Sequence, residues 1–537
     1  MSTCSKTTTV DTVADLQTLF GSCSPDDVTT AIVLGYHEKN DGGGGIFVYD
    51  PSLTTADNDN GLIFYKWRRS VVDSSINVKW FGAKDDDGDG LSSIEYDALR
   101  DNNTLAFQNA LTEHAKRYKD IHPDNPGMIG LSNRISKSGI FIPSGEYIIG
   151  ENSLYSNTLS IRLVGLHYFS DGNAILTLAN GSSGYAFNNN NSALYVTFSD
   201  ITFTCLDENT NVIYSYANGG AQDYYFERCN FFGKFKRVFT VRGINNNSEW
   251  SFNKCAFDGN FETVLDVKDS DQFLSYWFDQ CKFWLKEGKT LKAMNGGNFN
   301  FINCDWSGLN PSTETYQFEL IRNTVAPRSV NGFRIINARF ELKSDFARVL
   351  KTNWAHGSIE IVADFSSQLG ERGYDLKHFD FDLSGPSTNG YNALNVNFKN
   401  SIMAGYHEFN YGGSSWRGIG NILYENCSFP ERDTLDGFIK INHGTNLNKS
   451  GIAIIEVKNA IFENNHALET EPTNDAYNME VSSVDYLPLF SNKGLKKKYF
   501  NICHSARGGN PINDQEFILN FPEEAESIIT KIKWFLP

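Results

Sequence analysis

Four carboxylates in this chain recur at intervals that would place them together on a surface. Glu227, Asn253 and Asp279 follow one another at steps of 26 residues, and Asp266, Lys292 and Glu319 at steps of 26 and 27. Each set holds two acids with one residue between them, an amide in the first and a lysine in the second. Paired carboxylates cut glycosidic bonds, one as acid and the other as base or nucleophile. Alternating charges along a solvent-facing strand are the competing reading, because a lysine between two acids also makes an ordinary surface salt-bridge ladder. Asp258, Asp269, Asp271 and Asp305 stand nearby as further acids. Trp284 and Trp306 offer indole faces for stacking on sugar rings. Trp284 is expected to point outward, whereas Trp306 takes the place of an inward Phe, which also fits a core role. Arg242, Lys268 and Lys292 are the candidate cations for an acidic sugar. His356 and Tyr374 are the residues that a base-driven elimination would call on.

The elements that position these residues are legible in a repeated phrase. Phe226-Glu227-Arg228-Cys229-Asn230-Phe231 returns from Phe252, from Phe278 and from Phe301, with cysteines at 229, 255, 281 and 304. Weaker copies begin at Phe198, Ile335, Phe398, Tyr424 and Val457. A fixed period in this range marks a solenoid. Apolar residues at strand spacing make its coils strands, so the expected object is a β-helix. The fourth position is small or apolar throughout, as an inward ladder at a bend requires. The third is often Asn (303, 337, 400, 426, 459), which tolerates the left-handed backbone of a corner.

Composition narrows the classes. With 537 residues, a net charge of −17, 40 Phe and 24 Tyr, the chain can bury a large aromatic core. The negative charge argues against nucleic acid and against an anionic membrane as partners. Nine cysteines with no C-x-x-C pair point to small buried hydrophobes, not to zinc or a disulfide framework. No run reaches the roughly 18 apolar residues of a membrane span. The polar start Met1–Lys6 carries no export signal, so the expectation is synthesis in a cytoplasm.

The first third carries a more specific signature. Gly35-Tyr36, the glycine run 42–45, Phe47-Val48-Tyr49-Asp50, Asp59-Asn60-Gly61 and Trp67-Arg68-Arg69 come in that order. Then come Val78-Lys79-Trp80-Phe81-Gly82, the helix pattern at 103–111, and Gly139-Ile140-Phe141-Ile142-Pro143. This arrangement resembles bacteriophage tailspike depolymerases of the pectate-lyase-like right-handed β-helix superfamily. Four glycines without a following Lys-Ser/Thr exclude a P-loop. Leu105, Phe107, Ala110 and Leu111 give the helix an apolar side to cap the first coil, with His114, Lys116 and Arg117 in solvent.

The resemblance implies an all-β chain: a head module over 1–75, a right-handed parallel β-helix over 76–470 and a short β-rich cap over 471–537. It implies a homotrimer in a virion tail, joined to the tail or baseplate by the head and released by lysis. It also implies binding and cleavage of a bacterial capsular or exopolysaccharide. Abundant outward acids favour hydrolysis. A polysaccharide lyase and a non-catalytic receptor-binding spike are the alternatives. No cofactor is expected. Asp85, Asp87 and Asp89 with Gly90 match the first half of a calcium loop, but Tyr96 stands where its last carboxylate belongs, so a solvated acidic turn is expected.

Overall fold

The computed structural model describes residues 6–22, 29–71, 75–121, 139–156, 166–179, 184–190, 195–205, 210–217, 221–243, 247–268, 275–294, 296–321, 331–354, 356–367, 369, 373–382, 392–411, 418–429, 439–443, 452–462, 468–470 and 479–486. Two compact units are separable, Met1–Ala256 and Phe257–Pro537.

The first unit opens with strands β1 (Thr7–Thr12), β2 (Thr30–Gly35), β3 (Gly45–Tyr49), β4 (Ile63–Phe64) and β5 (Trp67–Arg69), in spatial order β1-β2-β3-β5-β4. Helix α1 (Val13–Ser22) packs Val13 and Leu16 against Ala31, Val33, Phe47, Phe64 and Trp67. The glycine run serves Arg69. Its buried guanidinium donates to the carbonyls of Gly43, Gly44 and Gly61. A Cβ on Gly45 would stand 2.5 Å from its terminal nitrogen.

Parallel pairing begins at Ile76, which pairs with Ile140. Helix α2 (Ser93–Ile121) lies against Gly145–Ile149. Ser92 and Glu95 cap its start reciprocally, backbone N–H to side chain. Its buried stripe is Leu99, Asn103, Ala106, Phe107, Ala110, Leu111 and His114. Two expectations are corrected here. Leu105 is 56% exposed, since it falls off the stripe, and His114 is buried, one turn beyond Ala110 and Leu111.

In both units each coil turns its first corner at the third position of the repeated phrase, and that corner is left-handed. Arg228, Lys254, Gln280, Asn303, Asn337, Asn400 and Asn426 have φ of 51°, 53°, 53°, 54°, 54°, 46° and 55°. Stacked asparagines tie successive corners together: Asn337 Nδ2 donates to Asn303 Oδ1 at 2.8 Å, and Asn426 Nδ2 to Asn400 Oδ1 at 2.9 Å. The fourth position then turns inward. Cys229, Cys255, Cys281, Cys304 and Cys427 are buried and form no disulfide among the described residues. Cys304 Sγ reaches the carbonyl of Phe278 on the preceding coil and that of Ile302 on its own. At Ser401 the hydroxyl does the same work, donating to the Lys399 carbonyl at 2.8 Å. Cysteine therefore serves as a small residue with a weak donor, in place of serine.

Aromatic rings on equivalent positions stack coil on coil. In the first unit Phe198 and Phe226 lie 5.2 Å apart at 7°, and Phe226 and Phe252 4.9 Å apart at 10°. In the second, Phe283, Trp306 and Phe340 follow at 4.8 and 4.4 Å, within 8° of parallel. Parallel pairing continues past residue 470, since Met479–Tyr486 pairs with Ile452–Phe462. The segment beyond Tyr486, expected to form a cap, lies outside the described residues.

Burial pushes the Cys427 thiol up to about 12 and that of Cys229 well above its ordinary value, so neither forms thiolate at pH 8. The five corner cysteines should resist iodoacetamide in the native protein and react only in denaturant, as read by peptide mass spectrometry. Rapid native labelling of any of them would mean a register shifted by one residue.

His378 is fully buried, with Nε2 donating to the Gly373 carbonyl at 2.7 Å. Burial pulls its pKa down to about 4, against the pull of that hydrogen bond. The imidazole is thus neutral when folded but protonates near 6.5 when unfolded. Its contribution is complete above pH 6.5 and is lost as pH falls towards 4, on the order of 3 kcal/mol. The fall in stability between those pH values should be smaller in His378→Gln, measured by denaturant unfolding. An identical fall would assign the effect to other groups.

Candidate functional site

The third strand of each coil in the second unit carries a single outward column. The register pairs Lys292 with Glu319, Glu319 with Lys351, Lys351 with Asp380, Asp380 with Glu408 and Glu408 with Lys440. Phe318, Leu350, Phe379 and His407 form the inward column beside it, all buried. Strand alternation then sends the charged residues to the other face.

Charge alternates along this column except once. Asp380 and Glu408 are consecutive acids, and adjacent strands put them about 4.8 Å apart at the backbone. Lys377 answers both: its Nζ is 3.2 Å from Asp380 Oδ2 and 3.2 Å from Glu408 Oε1. Burial lowers the Lys377 pKa, but the two carboxylates outweigh it and the net shift is upward. Asn410 Nδ2 adds a hydrogen bond to Glu408 Oε1 at 2.9 Å. Both carboxylates are mostly covered yet reach solvent.

Tyr316 lies alongside, its ring 5.7 Å from Lys351 Nζ. Among the described residues its hydroxyl meets no hydrogen-bond partner. Burial, then the nearby Asp380 and Glu314, push its pKa up. Glu319 is engaged by Lys289, Nζ to Oε1 at 2.6 Å, and not by Lys292, its register neighbour.

The other residues singled out from the sequence fall in several places. Glu227 is half-buried and ion-paired with Arg228. Asp279 is half-buried and accepts from Asn303 Nδ2 at 3.3 Å. The column that runs on from Asp279 becomes apolar, through Ile302 and Ile336 to Val362. Asp266 and Thr240 are corrections. Both were expected outward, Thr240 as the position before Asp266 in the same row, yet Asp266 is only 5% exposed, within a run buried from Thr263 to Val267, and Thr240 is buried with its hydroxyl 3.3 Å from that of Tyr185. Trp306 is also corrected as a binding residue. It is wholly buried, stacked between Phe283 and Phe340, and its indole N–H donates to Thr290 Oγ1 at 2.8 Å.

Trp284 does point outward, 57% exposed. It sits by Gly308, whose N–H donates to Glu341 Oε2 at 3.3 Å. Arg339 bridges Asp305 and Glu341 below it. Arg242, Lys268 and Lys292 are half-buried. Arg242 donates to its own neighbour's carbonyl, that of Val241, at 2.9 Å. His356 contacts Asn331. Asp269, Asp271 and the side chain of Tyr374 lie outside the described residues. At the acidic turn, Asp85 pairs with Lys79 at 3.0 Å, and Asp87 accepts from the backbone of Asp89. Among the described residues no group of three or more His, Cys, Asp or Glu is placed to hold a metal ion.

Sequence reasoning missed Asp380 and Glu408. The signal was the pattern Phe379-x-Phe381 and His407-x-Phe409, which echoes Phe318-x-Leu320 and puts both acids in the row of Glu319.

By its fold, then, the chain is a parallel β-helix protein with a small β-sheet head. Residues 9–73 match a family described as the phage tail protein small four-stranded beta-sheet domain. No curated protein matches the chain. Among solved structures, the chain is similar to the tailspike protein of Acinetobacter phage vB_ApiP_P1, at 12% identity and a TM-score of 0.40, over 95% of this chain and 77% of that one. It is also similar to tailspike gp49 of Acinetobacter baumannii bacteriophage Fri1, described as a capsular polysaccharide depolymerase, at 11% identity and a TM-score of 0.38, over 85% and 74%. A third is Pantoea stewartii WceF, described as a glycan biofilm modifying enzyme, at 12% identity and a TM-score of 0.30, over 85% and 48%.

The two tryptophans give a direct contrast. Trp306→Ala should cost about 3–5 kcal/mol of stability, since it opens a cavity and removes the indole's hydrogen bond to Thr290. Trp284→Ala should stay within about 0.5 kcal/mol, as an exposed residue does. Denaturant unfolding of the two variants tests this, and equal losses would contradict the placement.

Proposed function

We propose that this protein is a phage tailspike-like depolymerase that binds and hydrolyses a bacterial surface polysaccharide, with Asp380 and Glu408 as the reacting carboxylates. The single observation that carries the reading is the break in charge alternation. Two acids are held side by side in one column, Asp380 7% exposed and Glu408 half-buried. The head segment's match to a phage tail domain supports a place in a virion tail. Attachment to the tail through that head, and assembly as a homotrimer, belong to the same proposal.

Two oxygens that each lie 3.2 Å from one Nζ can be no further apart than those two distances together. That spacing suits a retaining mechanism, which needs carboxyl groups about 5–5.5 Å apart, better than an inverting one. One carboxyl protonates the departing glycosidic oxygen while the other attacks the anomeric carbon. Water then completes the exchange. Lys377 lies between the two carboxylates, its Nζ 3.2 Å from one oxygen of each. Glu319, two coils from Asp380, and Trp284 are kept as polymer contacts. Glu227 and Asp279 fit less well, because no acid stands beside either in its column: Glu227 lies between Ser199 and Asn253, and Asp279 is followed by Ile302.

A lyase is the second reading, favoured by the unpartnered hydroxyl of Tyr316 beside Lys351. Its raised pKa keeps the hydroxyl protonated at neutral pH, so little phenolate is there to act as base, which ranks this reading lower.

The test is reducing-end release from capsules of a panel of encapsulated bacteria. Asp380→Asn and Glu408→Gln should each lower turnover at least about 100-fold without loss of folding. Full activity in both would reject the pair. An unsaturated, ultraviolet-absorbing product would establish the lyase, and binding without cleavage the non-catalytic spike.

A further inference from the structure

The first unit holds a second arrangement of reactive side chains that the carboxylate column does not use. On the outward face of its early coils, Phe141, Phe169, Ser199, Glu227 and Asn253 form one column. His167 reaches into this column from the strand that carries Phe169. Its Nε2 lies 3.1 Å from Ser199 Oγ, within the reach that a nucleophile and its base require. Ser199 is 8% exposed and His167 is half-buried, so the pair borders solvent without being washed by it.

The neighbours suit acyl transfer. Phe169 packs on the imidazole, ring centroids 5.0 Å apart, and Phe141 packs on Phe169 at 5.4 Å. These half-buried rings make an apolar shelf beside Ser199. The next residue in the column is an acid, Glu227. Burial lowers the His167 pKa, while Glu227 and Asp200 pull it back up. The imidazole is therefore neutral and able to accept a proton at neutral pH, and carboxylates stand by to stabilise the imidazolium. Arg228, held by Asp200 at 2.6 and 2.8 Å and by Glu227, supplies positive charge to the same cluster.

We propose that Ser199 and His167 form an ester-hydrolysing site that removes short O-acyl groups, such as acetyl, from sugar hydroxyls. With the imidazole proton on Nδ1, Nε2 takes the proton of Ser199 as Oγ bonds to the acyl carbonyl carbon. The bond from that carbon to the sugar oxygen breaks, and the oxygen leaves with the proton from Nε2. Water, deprotonated by Nε2, then releases the acid and restores Ser199. The step needs no metal and no redox partner. It stands apart from the proposed glycosidic cleavage, because it uses other residues on other coils.

The test uses the full chain with two probes. A fluorophosphonate should form one adduct on Ser199, located by peptide mass spectrometry and absent from Ser199→Ala. p-Nitrophenyl acetate turnover should fall at least about 100-fold in Ser199→Ala and in His167→Gln. Asp380→Asn should retain full ester turnover, and Ser199→Ala should retain any depolymerisation, so the two readings fail separately. Absence of a Ser199 adduct, an adduct without ester turnover, or Ser199→Ala turning over within a few-fold of the parent would each overturn the proposal.

Discussion

The hydrogen-bonded spacing of parallel strands, about 4.8 Å, is the constraint from which the rest of this molecule follows. Once coils stack at that distance, every residue has a neighbour of equivalent position directly above and below. Inside, the spacing is close to that of stacked rings, so Phe and Trp at one position make continuous columns. Phe226 on Phe252, and Trp306 on Phe340, are near parallel for this reason. The corners obey the same rule. Beside each left-handed residue one carbonyl takes two donors: that of Ile302 accepts the Gln280 N–H at 3.0 Å and the Cys304 thiol at 3.4 Å, and that of Glu425 accepts the Asn400 N–H at 2.9 Å and the Cys427 thiol at 3.5 Å.

Outside, the same spacing turns sequence into electrostatics. Like charges on adjacent coils stand close enough to repel by roughly 1 kcal/mol in water, and more where burial lowers the dielectric. Alternation of Lys292, Glu319, Lys351 and Asp380 meets that constraint within one column. Lys289 and Lys377 then reach in from three residues before Lys292 and Asp380, to hold Glu319 and the Asp380–Glu408 pair. The ion pairs are thus not decoration of a finished surface. They are what allows acids to sit on a tightly stacked face.

The coil architecture was legible in the sequence because its signal is periodic. Cysteines at 229, 255, 281 and 304 mark equivalent corners, and the asparagines at 303, 337, 400 and 426 sit at the left-handed turns that their chemistry suggests. What escaped reading depended on insertions. Between residues 304 and 427 the coils carry extra chain of unequal length, so counting by 26 no longer aligns them. Asp380 and Glu408 lie in that stretch. Exposure was the other failure. Two-residue alternation placed Asp266 outward, but from Thr263 to Val267 the strand is covered on both faces. Sequence alternation reports which side a residue takes, and not whether that side is open.

The break at Asp380 and Glu408 is informative because nothing in the fold demands it. With Lys351 and Lys440 on either side, a lysine at either position would only move the like-charge contact to a pair of lysines. A neutral side chain at either position would remove it without help from Lys377. Keeping both acids forces a third residue, Lys377, to be half-buried and charged, at a desolvation cost that its two partners must offset. Electrostatics alone would therefore favour a neutral residue at one of these two positions. The proposed cleavage, which needs two carboxyl groups a few ångströms apart, would account for keeping both acids at that cost.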